Sequence, residues 1–140
     1  MHETRPLLLV EDSPDDVMII KRALGDLGMA DRIVHTPSAE LALAHLRGAA
    51  NEKPGLILLD LHLPGISGAE FLQVIKADPA LVEIPVIVLT SSQARQDILH
   101  SFDLRAAGYV VKPSTYAEAL EALKIINGYW SLNALPACHN

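Results

Sequence analysis

A doubly wound α/β fold, with five parallel strands covered by helices on both faces, is predicted by three observations. Short apolar runs alternate with helix-period segments five times along the chain. The runs "LLLV", "LILL" and "VIVL" are continuously apolar, as strands buried on both faces require. Turn formers separate the segments, and strand–helix alternation of this kind closes into right-handed crossovers on a parallel sheet.

The elements follow in order. Residues 6–12 (PLLLVED) read as a buried strand ending in acids. Residues 15–28 read as a helix with Val17, Ile20, Leu24 and Leu27 on one face and Gly28 near its end. Residues 31–36 (DRIVHT) form a short strand at a sheet edge, and 38–48 a helix with Ser38 as N-cap and Gly48 as stop. The third strand, 56–60, follows the loop NEKPG, and the third helix, 68–78, halts before Pro79. Strand 84–92, helix 93–108 closed by Gly108, strand 109–114 halted by Pro113, and helix 115–128 complete the series.

Ligand sites in such sheets lie beyond the carboxyl ends of the strands. There the chain gathers Glu11 and Asp12 from the first strand, Asp60 from the third, Thr90 and Ser91 from the fourth, and Lys112 from the fifth. Taken singly, Glu11 and Asp12 would pass for a helix cap and a solvated acid, and Thr90 for an ordinary strand-end residue; their company gives them meaning. Like charges about 4 Å apart repel by about 4 kcal/mol at an effective dielectric near 20. A divalent cation, a lysine or protonation must offset this. An all-oxygen set suits Mg²⁺, which retains waters and partners phosphate. Lys112 offers a mobile positive charge to a phosphoryl oxygen and the Thr90 hydroxyl a hydrogen bond. Asp60 is then free to act as a carboxylate nucleophile on phosphorus.

The motifs VEDSPDD, LILLDLHLPGISG, VIVLTSS and GYVVKPS stand in the order and spacing of one family. Through them the chain, over about residues 5–127, resembles the receiver domain of a bacterial two-component response regulator. The resemblance implies a flavodoxin-like sheet of order 2-1-3-4-5. It implies Asp60 as phosphoacceptor, Asp12 as direct Mg²⁺ ligand, Glu11 acting through water and His62 giving its backbone carbonyl. Lys112 and Thr90 would bind the phosphoryl group, with Ser91 as the small residue beside it. Thr90 and Tyr109 would move together as the switch, and Lys112–Pro113 would be a cis peptide. Phosphorylation would then remodel the surface of the fourth helix, fifth strand and fifth helix.

Bulk properties narrow the function further. Of 140 residues, 50% are apolar, which suits one domain with its own core; residues 1–127 are assigned to it and 128–140 to a C-terminal tail. The net charge of −6 and the scattered arginines argue against nucleic-acid binding. No run approaches membrane-spanning length, the N-terminus lacks a signal-peptide pattern, and the single cysteine, Cys138, has no internal partner. A cytoplasmic protein is expected. The six histidines show no metal-ligand spacing, and Met18 and Met29 read as core or helix-end filler.

The chain ends soon after the fifth helix, so a stand-alone receiver is expected, acting through protein contacts or as a relay. DILHSFDLRAAGYVVKPS with the trailing YWSLNALP is similar to small receivers paired with phytochrome-type histidine kinases. Trp130, with Tyr129 and Leu132, suggests packing on the domain itself or on a homodimer partner through the fourth helix, fifth strand, fifth helix and tail. Two other functions compete. A phosphohydrolase with an aspartate nucleophile would need a second aspartate where His62 stands. A phosphorylation-independent interaction module would have no use for Asp12, Asp60, Thr90 and Lys112 together.

Overall fold

In the computed structural model the backbone is described for residues 5–132 and side chains for residues 5–128. The strands are β1 (Leu7–Val10), β2 (Ile33–Thr36), β3 (Leu56–Leu59), β4 (Val86–Thr90) and β5 (Gly108–Val111). The helices are α1 (Pro14–Asp26), α2 (Ala39–Arg47), α3 (Gly68–Ala77), α4 (Arg95–Asp103) and α5 (Tyr116–Leu132). All strand pairings are parallel and the sheet order is β2-β1-β3-β4-β5, as expected. Similarly, β2 lies at an edge.

Alternation along each strand explains the unbroken apolar runs. Leu8, Val10, Ile57, Leu59, Val86 and Val88 face one layer, formed chiefly by Ala42 and Leu43 of α2 and Phe71, Leu72 and Ile75 of α3. Leu7, Leu9, Leu58, Ile87 and Leu89 face the other, formed by Val17, Ile20, Ala23 and Leu24 of α1 and Leu123 and Ile126 of α5. Each strand thus removes apolar surface from water on both sides, at about 25 cal/mol per Å². Arg22 of α1 stacks on the Tyr116 ring of α5 at 4.1 Å, and the Tyr116 hydroxyl donates to Asp26.

The helix starts are set locally. Ser13 caps α1 by accepting the Asp16 N–H, Pro14 occupies the first turn where its missing donor is harmless, and Ser38 caps α2 through the Leu41 N–H. Ser67 and Glu70 form a reciprocal capping box on α3.

Three features depart from the sequence reading. Helix α4 spans Arg95–Asp103 rather than 93–108, because the chain turns at Arg105 (φ 67°), where the Arg105 and Ala106 amides bond back to the Phe102 and Ser101 carbonyls. Gly108 consequently opens β5 instead of closing the helix. Helix α5 continues past Gly128 to Leu132. The side chain of Trp130 and the tail beyond Leu132 lie outside the described residues.

Candidate functional site

The register fixes the site. Val10 of β1 pairs with Leu59 of β3, so the residues that follow, Glu11 and Asp60, leave the sheet side by side. Their amides continue the ladder, Asp60 N–H donating to the Val10 carbonyl at 3.1 Å and Glu11 N–H to that of Thr36 at 3.1 Å. Two strands away, the Lys112 N–H donates to the Thr90 carbonyl at 2.8 Å just past β5. Backbone pairing therefore aims these side chains before any side-chain interaction forms.

Asp60 is buried, and its Oδ1 accepts the His62 N–H at 3.3 Å. The close turn after it depends on Gly68, where a Cβ would collide with the Asp60 carbonyl and Leu61 Cα, and whose N–H donates to Leu61 O at 2.9 Å. Gly65 takes φ 73°, and the loop is held from α2 by Glu40, whose Oε2 accepts the Ile66 N–H at 3.2 Å.

Glu11 is 1% exposed. Burial pushes its carboxyl up to about 7, aided by the neighbouring Asp60 charge and opposed by the Lys112 ammonium and the Ser13 N–H. Lys112 Nζ lies 2.7 Å from Glu11 Oε1, 2.7 Å from Asp16 Oδ2 and 3.3 Å from Asp60 Oδ2. Burial works against its charge, but the bonds to Asp16 and Glu11 and the Asp60 and Glu11 charges outweigh it and hold the ammonium well above its ordinary range. Carboxylate oxygens of Glu11, Asp12 and Asp60 lie within 4.8 Å of one another, with Asp12 exposed. This hard, all-oxygen cluster fits a small divalent cation, with its solvent-exposed side at Asp12.

Thr90 is fully buried at the tip of β4, and its Oγ1 has no hydrogen-bond partner among the described residues. Ser91 beside it is exposed, as is His62. Tyr109 packs partly buried against the α2–α3 layer, and its hydroxyl donates to the Ser92 carbonyl at 2.9 Å. Ser92 in turn donates from Oγ to Asp97 Oδ2 at 2.6 Å.

The expected residues Glu11, Asp12, Asp60 and Lys112 meet at one point, with Thr90 and Ser91 on the adjacent strand end. One expectation fails. No cis peptide occurs among the described residues, so Lys112–Pro113 is trans. Trans is the lower-energy isomer of an X–Pro bond by about 0.5–1 kcal/mol. Lys112 reaches its three carboxylates with that bond trans. One participant was missed. Asp16 closes the motif VEDSPDD, in which only Glu11 and Asp12 were given a role; its position three residues after the Ser13 cap puts it on the first turn, against the lysine.

This sheet and this cluster of acids about one lysine define a phosphoryl-handling domain. The sequence pattern of the response regulator receiver domain matches residues 7–124, and the chain belongs to that family. It is similar to the probable methanogenesis regulatory protein FilR2 of Methanothrix harundinacea, 35% identical over 89% of this chain and 82% of FilR2. It is also similar to response regulator Rcp1 of Synechocystis, at 32% identity over 89% of this chain and 87% of Rcp1. Among solved structures, the phosphorylated cyanobacterial phytochrome response regulator RcpA superposes with a TM-score of 0.88 at 37% identity, covering 94% of this chain and 98% of RcpA. A Mn²⁺-bound form of Rcp1 superposes at 0.83 with 31% identity, covering 94% and 99%. The protein is thus a receiver domain of the response regulator class, related to signalling switches. No helix among the described residues is long and apolar enough to cross a membrane.

Proposed function

We propose that Asp60 accepts a phosphoryl group from a phosphohistidine of a sensor histidine kinase and returns it to water. In the first step a carboxylate oxygen of Asp60 forms a bond to phosphorus as the histidine N–P bond breaks and the imidazole takes up a proton. In the second, water attacks phosphorus, the Asp60 O–P bond breaks and inorganic phosphate leaves. The observation that carries this reading is the Lys112 ammonium 3.3 Å from Asp60 at a carboxylate cluster of metal-ligand dimensions.

Mg²⁺ would be held by Asp12, Asp60 and the His62 carbonyl, with Glu11 through water, and supplies charge neutralisation at the phosphoryl oxygens. The Mn²⁺-bound form of Rcp1 supports a divalent ion here. Lys112 orients a phosphoryl oxygen, Ser91 leaves room beside it, and the unpartnered Thr90 hydroxyl turns to meet another. Inward movement of Thr90 is matched by Tyr109, whose bond to the Ser92 carbonyl ties β5 to the start of α4. The protein is then a cytoplasmic switch with slow self-dephosphorylation rather than an enzyme. Residues 1–127 are assigned to the switch and 128–140 to a C-terminal tail.

Likeness to RcpA supports a phytochrome-type kinase as phosphoryl source. Leu99 and Phe102 of α4 and Val111 of β5, exposed at 51%, 49% and 38%, support a homodimer through α4, β5, α5 and the tail.

Incubation with Mg²⁺ and acetyl phosphate tests the central step. The wild type gains one phosphoryl mass, and Asp60→Ala gains none; equal labelling of the two would refute the assignment.

A further inference from the structure

Lys112 has three N–H donors, and three carboxylates are close enough to take them. Two of those acids belong to the site as the sequence foretells it. The third, Asp16, comes from the first turn of α1 and stands as close to the ammonium, at 2.7 Å, as buried Glu11 does. Asp60 is the most distant of the three at 3.3 Å. The lysine is therefore shared between the phosphoacceptor and an acid that takes no part in bonding to phosphorus.

Charge counting gives this sharing a consequence. Phosphorylation replaces the single negative charge of Asp60 with about 1.5 to 2 negative charges on the phosphoryl group. Lys112 must serve that larger anion while Asp16 still draws on it. Glu11 is held on its other side by the Ser13 N–H and is buried. Asp16 has its side chain 34% exposed and sits where the N-terminal dipole of α1 favours a negative charge.

Resting on the function proposed above, we infer that Asp16 is a counter-charge that limits how firmly the site holds a phosphoryl group, while strengthening its hold on the divalent cation. The two effects have opposite signs because one ligand is an anion and the other a cation. Loss of packing at the site would weaken both together, and displacement of Lys112 would loosen the anion while tightening the cation, so the pair of affinities separates the charge of Asp16 from either structural effect.

The test uses the full chain as wild type, Asp16→Asn and Asp16→Ala. Mg²⁺ affinity is measured by calorimetry, and affinity for beryllium trifluoride, an inert phosphoryl mimic, by fluorine NMR at saturating Mg²⁺. Asp16→Asn keeps an oxygen for Lys112 but no charge. It is expected to bind the mimic roughly five- to tenfold tighter and Mg²⁺ several-fold more weakly, the scale of one partly screened charge at a few ångströms. Asp16→Ala should shift both affinities in the same directions. If both affinities fall, or neither moves, the inference is overturned. If the wild type itself binds no mimic in Mg²⁺, the reading of Asp60 as phosphoacceptor fails instead.

Discussion

At the residue scale, two buried polar groups carry a measurable cost. The Thr90 hydroxyl has no partner among the described residues, and an unsatisfied buried group of this kind costs about 1–3 kcal/mol. Thr90→Val, of nearly the same shape, is expected to raise stability by about 1 kcal/mol in urea denaturation. It should at the same time lose the conformational response to phosphorylation, read as unchanged amide shifts around Tyr109. Glu11 makes the second case. Its carboxyl is pushed up to about 7 in the folded protein from an ordinary 4.5, so between these pH values the folded state keeps a proton that the unfolded chain has lost. Stability of the metal-free protein should therefore fall as pH rises from about 4.5 through 7 and level off above. Denaturation curves across that range should be visibly flatter for Glu11→Gln, and an identical pH profile would exclude Glu11 as the titrating group.

At the element scale, the turn from β3 into α3 is where backbone geometry is least forgiving. A Cβ at Gly68 would meet backbone atoms of Asp60 and Leu61, which cannot swing aside as a side-chain end can. Gly68→Ala should cost about 1–3 kcal/mol, by analogy with overpacked cores, and should displace the phosphoacceptor. Thermal unfolding and acetyl phosphate labelling report the two losses separately. The elements whose ends carry an ordinary signal were legible in the sequence. Ser38 and Gly48 stand where the cap and the stop of α2 were expected, whereas the Ser13 cap and Pro14 start of α1 lie just ahead of the residue 15 at which that helix was read to begin. Helix α4 was not legible in the same way. Its left-handed residue is Arg105 rather than glycine, and its N-cap is Ala94, which has no side-chain oxygen to give. Nothing in the local pattern marked either end.

At the scale of the whole molecule, the strand tips were legible because sheet register follows from which residues are apolar. Once the strands are placed, Glu11, Asp60 and Lys112 must converge. Asp16 was illegible for a converse reason. Its role depends on how helix α1 leans on the end of β5, a tertiary fact that no local spacing contains. The exposed apolar side chains make an assembly prediction at this scale. Replacing Leu99 and Phe102 by serine should leave folding intact and lower the sedimentation coefficient if α4 seals a dimer. A wild-type protein that sediments as a monomer at every concentration would dismiss that interface.

Helix α4 buries a single side chain, Ser101, in contrast to the several that anchor α1 and α3. So slight an anchorage places it near the bottom of the protein's ladder of local opening energies. Its amides should trade hydrogen for deuterium well ahead of those of β1, β3 and β4, even under conditions where the whole chain never unravels. A helix this loosely moored can be reseated by a chemical event at its root without disturbing the interior beneath it.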